Sequence, residues 1–191
     1  MFFSIITLAI AIYGINSKTV SLMDSADAMD AAAQVMDAVC AGDFDALEEL
    51  LSDQPDLGEC PPKNQEAENL IWHAYIDSIQ YQLYPSEEEM AVDVSVSCLD
   101  VPAVLTQMQS IVPQLLKDAK RNGDADIYDA EHNYQEAFLS ETLSTAAKQI
   151  LSGETQTREV DVTLKLVRSR GSWRVLPTEE LQNLLSGFIS E

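Results

Sequence analysis

Between residues 158 and 177 the chain reads REVDVTLKLVRSRGSWRVLP, with Val160, Val162, Leu164 and Leu166 alternating against Glu159, Asp161, Thr163 and Lys165. A period of two puts the apolar set on one side of an extended backbone, so this run predicts a half-buried strand. The polar break Arg168-Ser169-Arg170-Gly171 returns the chain through Trp173 and Val175, Pro177 stops the second strand, and Thr178 opens an amphipathic helix. Trp173 shares parity with Val175 and is expected on the buried face. The same alternation runs from Val92 to Cys98, and Ile79, Tyr81 and Leu83 alternate with Ser78, Gln80 and Gln82. A second hairpin follows, with a strand over 79–83, a turn at Pro85-Ser86-Glu87-Glu88 and a strand over 89–99. Asp77 and Asp93 fall out of phase with the apolar positions and are expected to face solvent.

Elsewhere the period is helical. From Ser25 to Cys40, Ala28, Ala32, Val35, Met36 and Val39 share one face while Asp27, Asp30 and Asp37 lie off it. Gly42 ends that helix and Asp43 caps another, Phe44 to Leu51, striped by Phe44, Leu47, Leu50 and Leu51. Ser52 to Lys63 carries three prolines and reads as a loop. A third helix starts at Asn64, holds Leu70, Ile71 and Trp72, and ends near Tyr75. Asp100 and Pro102 launch a fourth, with Val104, Leu105, Met108, Ile111, Leu115 and Leu116 inward, up to about Arg121. Pro113 removes one backbone bond there, which predicts a kink or a new first turn. Asn122-Gly123-Asp124 breaks the pattern, and a fifth helix is predicted from near Tyr128 to Leu151, with Asp126 as its cap.

The predicted order is three helices, a hairpin, two helices, a hairpin and a helix, an α+β fold. The short acidic helices carry the phrase AxxVxDAVxxGDFDAL ending at Leu47, the strand IxYxL spans Ile79 to Leu83, VxVxVxxxD spans Val92 to Asp100, and the last hairpin spans Val160 to Val175. Taken together these resemble the NTF2-like (cystatin-like cone) superfamily. More narrowly, they resemble small uncharacterised extracytoplasmic domains, often lipoproteins of Gram-positive bacteria. The resemblance covers roughly residues 25 to 190. It implies a curved antiparallel sheet of about four strands packed on the N-terminal helices, with a two-helix insertion between the hairpins and a helix at the C-terminus. It carries over no catalytic residue.

Charge narrows the partners. Thirty-two acidic against eleven basic side chains give a net charge of −21, which repels phosphate backbones and excludes nucleic acid as a partner class. Eleven of the acids and no Lys or Arg lie between Thr19 and Pro62, whereas five of the eleven basic residues lie between Arg158 and Arg174. The front helices and the last hairpin are therefore expected to attract one another. Residues 1–17, MFFSIITLAIAIYGINS, hold no acidic or basic side chain, and the apolar stretch Phe2 to Ile15 is 14 residues long. That is short of the roughly 20 a membrane span needs and within the length of an export signal's apolar core. No Lys or Arg precedes it, no small-x-small cleavage site follows closely, and no lipobox cysteine is present. Residues 1–24 are read as an uncleaved or poorly defined signal anchor, or as part of a longer signal, and residues 25–191 as one domain. The competing reading packs the apolar segment into the domain.

Chemistry is sparse. Cys40, Cys60 and Cys98 show no CxxC spacing, so a zinc cluster or redox pair has no support. In an exported domain a Cys40–Cys60 disulfide is possible, as are three separate thiols, and Cys98 falls on the core face of its strand. His73 and His132 are the only histidines. Asp124, Asp126, Asp129 and Glu131 resemble the start of a calcium loop, but its sixth-place glycine is missing because Asp129 stands there. Phosphate cradles, nucleophile elbows and HExxH pairs are absent. Trp72, Tyr75, Tyr81 and Trp173 are expected to pack beneath the sheet rather than cage a ligand. The sequence thus assigns no catalytic residue, no ligand-binding residue, no metal and no cofactor. The expected function is non-enzymatic: an exported or membrane-tethered domain binding an unknown protein or small-molecule ligand at the cell surface, touching the membrane through its N-terminal segment only. The alternative is a ketosteroid-isomerase-like or SnoaL-like enzyme, which needs a polar titratable group and a cavity inside the cone.

Overall fold

The computed structural model describes residues 26–52, 66–122, 127–129, 131–169 and 171–187. The apolar segment at residues 1–17, Cys60, Asp124 and Asp126 lie outside them. Residues 26–41 form α1, which buries Ala32, Val35, Met36 and Val39 completely and turns Asp27, Asp30 and Asp37 outward. After Gly42, at a φ of +63°, Asp43 caps α2 (Phe44–Leu50) by accepting from the Ala46 N–H at 3.0 Å. Helix α3 (Glu66–Ser78) buries Ile71, Trp72, Tyr75 and Ile76.

Four strands follow the two predicted hairpins: β1 (Gln80–Pro85), β2 (Ala91–Leu99), β3 (Thr157–Ser169) and β4 (Ser172–Val175). They form one open antiparallel sheet in the order β1-β2-β3-β4. Its central pair, β2 and β3, is the most distant in sequence, because α4 (Val101–Asn122) and α5 (Glu136–Leu151) are inserted between them. Helix α6 (Glu179–Leu185) closes the described chain, with Thr178 accepting from the Leu181 N–H at 3.4 Å.

Register decides which face is buried. Val94 stands opposite Leu83 and Val162, and Val96 opposite Tyr81 and Val160, so the apolar positions of three strands meet on one side. That side packs with α1, α3 and α6 in one core including Met36, Val39, Tyr75, Leu164, Leu181 and Leu184. Helix α5 lies against α3 and α4, and its Lys148 ammonium reaches the Glu66 carboxylate at 2.8 Å. Among the described residues the acidic front meets the basic hairpin at backbone groups. Leu51 bridges to Val175, the Ser52 N–H donates to the Val175 carbonyl at 2.9 Å, and Arg174 Nη1 donates to the Leu51 carbonyl at 2.9 Å.

Several boundaries differ from the sequence reading: β3 runs on through Arg168 to Ser169, α2 stops at Leu50, and four others have a local reason. α3 runs to Ser78 rather than Tyr75, because Ser78 Oγ donates to the Tyr75 carbonyl at 2.6 Å and accepts from the Leu99 N–H at 2.7 Å, fastening the last turn to β2. β1 includes Pro85, which pairs with Val92 on the outermost strand where no ladder donor is needed. β2 starts at Ala91 because Met90 takes a φ of +57°. α5 starts at Glu136, not near Tyr128. Asp129 Oδ1 accepts from the Glu131 and Asn133 N–H groups at 2.9 and 2.8 Å, His132 adopts a φ of +66°, and Tyr128 bridges to Tyr134. That carboxylate offers the backbone an alternative to the helix. Pro113 sits within α4 on its exposed side, beside exposed Gln109, so the carbonyl it leaves unpaired faces water.

Candidate functional site

Among the described residues the helix-packed side of the sheet is lined by buried side chains. Val92, Val94, Val96, Cys98, Val162, Leu164 and Leu166 point into it, and each is buried. Among the described residues its polar groups include Tyr75, Cys98 and the half-buried Arg158 opposite Cys98. Tyr75, 1% exposed, donates its hydroxyl to the Leu184 carbonyl at 2.6 Å. Burial pushes both the Tyr75 phenol and the Cys98 thiol above their ordinary pKa, against the pull of Arg158, the cross-strand partner of Cys98. Both stay protonated at neutral pH. That suits packing and not nucleophilic or base chemistry.

The opposite face of the sheet has no described helix over it. Its rows follow from the register: Gln80, Ser97 and Glu159; Gln82, Ser95 and Asp161; Tyr84, Asp93 and Thr163. Within these rows a shallow groove of about 430 Å³ is lined by Tyr84, Asp93, Ser95, Asp161 and Thr163 over the backbone of Val94 and Val162. Thr163 Oγ1 donates to Asp93 Oδ1 at 2.9 Å, and the Tyr84 hydroxyl donates to Gln82 Oε1 at 2.6 Å. Those bonds hold the acidic and aromatic walls in place. Tyr84 is 47% exposed, one of two exposed large hydrophobic side chains among the described residues. An aromatic ring, two carboxylates and two hydroxyls on a rigid strand floor offer acceptors and a flat apolar patch, a combination that suits a polar or cationic ligand.

The residues singled out from the sequence do not converge on this groove. Asp93 reaches it, half-buried and bonded to Thr163, whereas Asp77 is exposed on α3. Trp72 and Tyr75 are core, and Tyr81 is half-buried, donating to Asp37 Oδ1 at 2.6 Å across to α1. Trp173 is only half-buried at the hairpin tip, with the Arg168 guanidinium 5.6 Å from its ring centre. Trp173 shares the face of Val175, but it lies at the start of β4, where the core thins. His73 is exposed and edge-on to Trp72 at 5.2 Å, and His132 is exposed in the turn before α5. Among the described residues no group of three or more His, Cys, Asp or Glu side chains can hold a metal ion. Cys40 Sγ lies 4.0 Å from the Ile79 carbonyl; its suggested partner Cys60 is outside the described residues.

Sequence reasoning missed Tyr84, Ser95 and Thr163. Each occupies a polar position of an alternating strand, which by itself reads as a solvated face. The available signal was the stacking of three such rows once register is assumed, with a tyrosine at the end of one of them. The chain matches no protein-family model, no curated protein and no solved structure.

Proposed function

We propose that this chain is a non-enzymatic NTF2-like domain, exported or held at the membrane by its N-terminal segment, that binds a ligand or a protein at the cell surface through the open polar face of its sheet. The observation that carries the reading is the contrast between the two faces. The helix side, where an enzyme of this shape would keep its cavity and titratable group, is packed with Val94, Val96, Leu164 and Tyr75. The groove lies on the other side, around Tyr84, Asp93 and Asp161. The resemblance of the hairpins and acidic helices to cone-shaped extracytoplasmic domains supports the fold, and the uncharged residues 1–17 support export.

The test is made in intact cells producing the full chain. A photo-crosslinking amino acid is placed at Tyr84, on the open face, or at exposed Gln109 on α4 as the comparison. The expected result is a discrete cross-link from position 84, absent from position 109, in a product that protease added outside the cells removes. Protection from that protease, or equal cross-linking from both positions, overturns the reading.

A further inference from the structure

β4 covers only one end of β3. Its four residues pair with Leu166 to Ser169, and the chain then leaves the sheet at Leu176, whose N–H donates to the Lys165 carbonyl at 2.7 Å. The Leu166 N–H donates to the Met90 carbonyl on the β2 side at 2.7 Å. Even-numbered positions of β3 therefore bond β2, and odd-numbered positions turn their backbone groups to the other edge. On that edge the Glu180 carboxylate accepts the Thr163 N–H at 3.0 Å. The N–H and C=O groups of Glu159 and Asp161 meet no partner among the described residues. From Thr157 to Thr163 this open edge runs about 20 Å.

An unpaired edge is a template for another strand, and proteins guard such edges with charge. On the open face of this stretch the guard has one sign. Glu159 and Asp161 are exposed on the open face, and the half-buried Val160 lies between them on the other face. Two copies of the chain pairing edge to edge would set these carboxylates against each other on molecules of net charge −21. A strand bearing Lys or Arg opposite Glu159 and Asp161, and apolar side chains opposite Val160, satisfies both faces at once. We propose that the Thr157–Thr163 edge of β3 captures, by strand addition, an extended segment of a partner protein in which basic and apolar residues alternate. This deepens the binding function above and rests on it, giving the partner's chemistry and its mode of contact.

The test titrates a dye-labelled peptide of alternating Val and Lys, long enough to span the edge, into the full-length chain and follows fluorescence anisotropy. Saturable binding is expected. Asp161→Pro removes one edge donor without touching the β2 ladder, and loss of that bond with the ring's obstruction is expected to weaken binding about tenfold. The same peptide N-methylated on the residues that face β3 is expected to lose binding to the unaltered chain, so the test stands even if the proline variant fails to fold. Glu159→Lys with Asp161→Lys is expected to abolish binding, whereas the same charge change on α1, Asp27→Lys with Asp30→Lys, leaves it within about twofold. No binding, equal binding of the N-methylated peptide, or equal loss from the α1 pair overturns strand addition while leaving the cross-link from Tyr84 to stand or fall separately.

Discussion

The Tyr75 hydroxyl donates to the Leu184 carbonyl at 2.6 Å across 109 positions of sequence, and this buried bond ties the end of α6 to α3. Leu184 O also accepts from the Gly187 N–H at 3.2 Å, so Tyr75→Phe weakens the junction without leaving the carbonyl bare. The expected loss is about 1 kcal/mol in urea unfolding. Gly187 stands at a φ of +74°, and an added Cβ would lie 3.3 Å from Val101 Cγ2 and 3.8 Å from the Tyr75 ring. Gly187→Ala is expected to cost more than Tyr75→Phe, about 1–2 kcal/mol, because it adds backbone strain to crowding. A reversed order of the two variants contradicts this account of the junction.

Alkaline stability follows from two phenols. Burial first, and then the hydrogen bond to Asp37, pushes the Tyr81 hydroxyl up to about 12, and burial raises Tyr75 further. A folded-state pKa above the unfolded value near 10 means the folded chain holds these protons longer. Their contribution is complete below pH 10 and declines as pH rises from there through the folded values. Melting temperature is expected to fall steeply above pH 10, and less steeply in a Tyr81→Phe variant. Parallel curves for the two proteins between pH 9 and 12 would contradict the assignment.

Trp173 sits at the rim, not the centre. Among the described residues its indole Nε1 has no hydrogen-bond partner, and its ring carries Arg168 at 5.6 Å. Trp173→Ala is expected to cost about 2 kcal/mol, below the roughly 3–5 kcal/mol of a fully buried aromatic. Trp173→Phe sacrifices no hydrogen bond and is expected to cost under about 1 kcal/mol. Thermal melts of both variants check this, and a loss of less than about 0.5 kcal/mol for the alanine variant would remove Trp173 from the core altogether.

One carboxylate adds two bonds to the backbone pairing of the turn before α5. Asp129→Ala frees the Glu131 and Asn133 N–H groups, which donate to it at 2.9 and 2.8 Å. Their amide exchange is expected to accelerate while that of Ala146 and Ala147, buried within α5, stays unchanged. Unaltered exchange at 131 and 133 would show that the turn holds without its side-chain bonds.

The helices and strands were legible where one period ran long enough to choose a face. α1 and β3 are the clearest cases, since five apolar positions in the one and four in the other leave one orientation that turns them all toward the core. The start of α5 was illegible because its apolar spacing continues back to Tyr128, and long-turn bonds stop the helix: those accepted by Asp129, the Tyr128–Tyr134 bridge and the Gln135 N–H to the Ile127 carbonyl. The groove was illegible for a different reason. Tyr84, Asp93 and Thr163 are a row only after β1, β2 and β3 are set in register, and β3 lies 58 residues beyond the end of β2. The open edge of β3 likewise needs the length of β4, which sequence gives only as a stop at Pro177.

The buried, apolar helix side of the sheet is the centre of the proposal, which takes the open face as the working surface. Trp72 is buried there and Trp173 borders it, so intrinsic fluorescence reports on any ligand that enters. The full-length chain is titrated with a planar, polycyclic apolar ligand of steroid size while tryptophan emission and melting temperature are followed. The account predicts no saturable change in emission and no rise in melting temperature. A saturable quench accompanied by thermal stabilisation would reveal a pocket among Val94, Val96, Leu164 and Tyr75, and would contradict it.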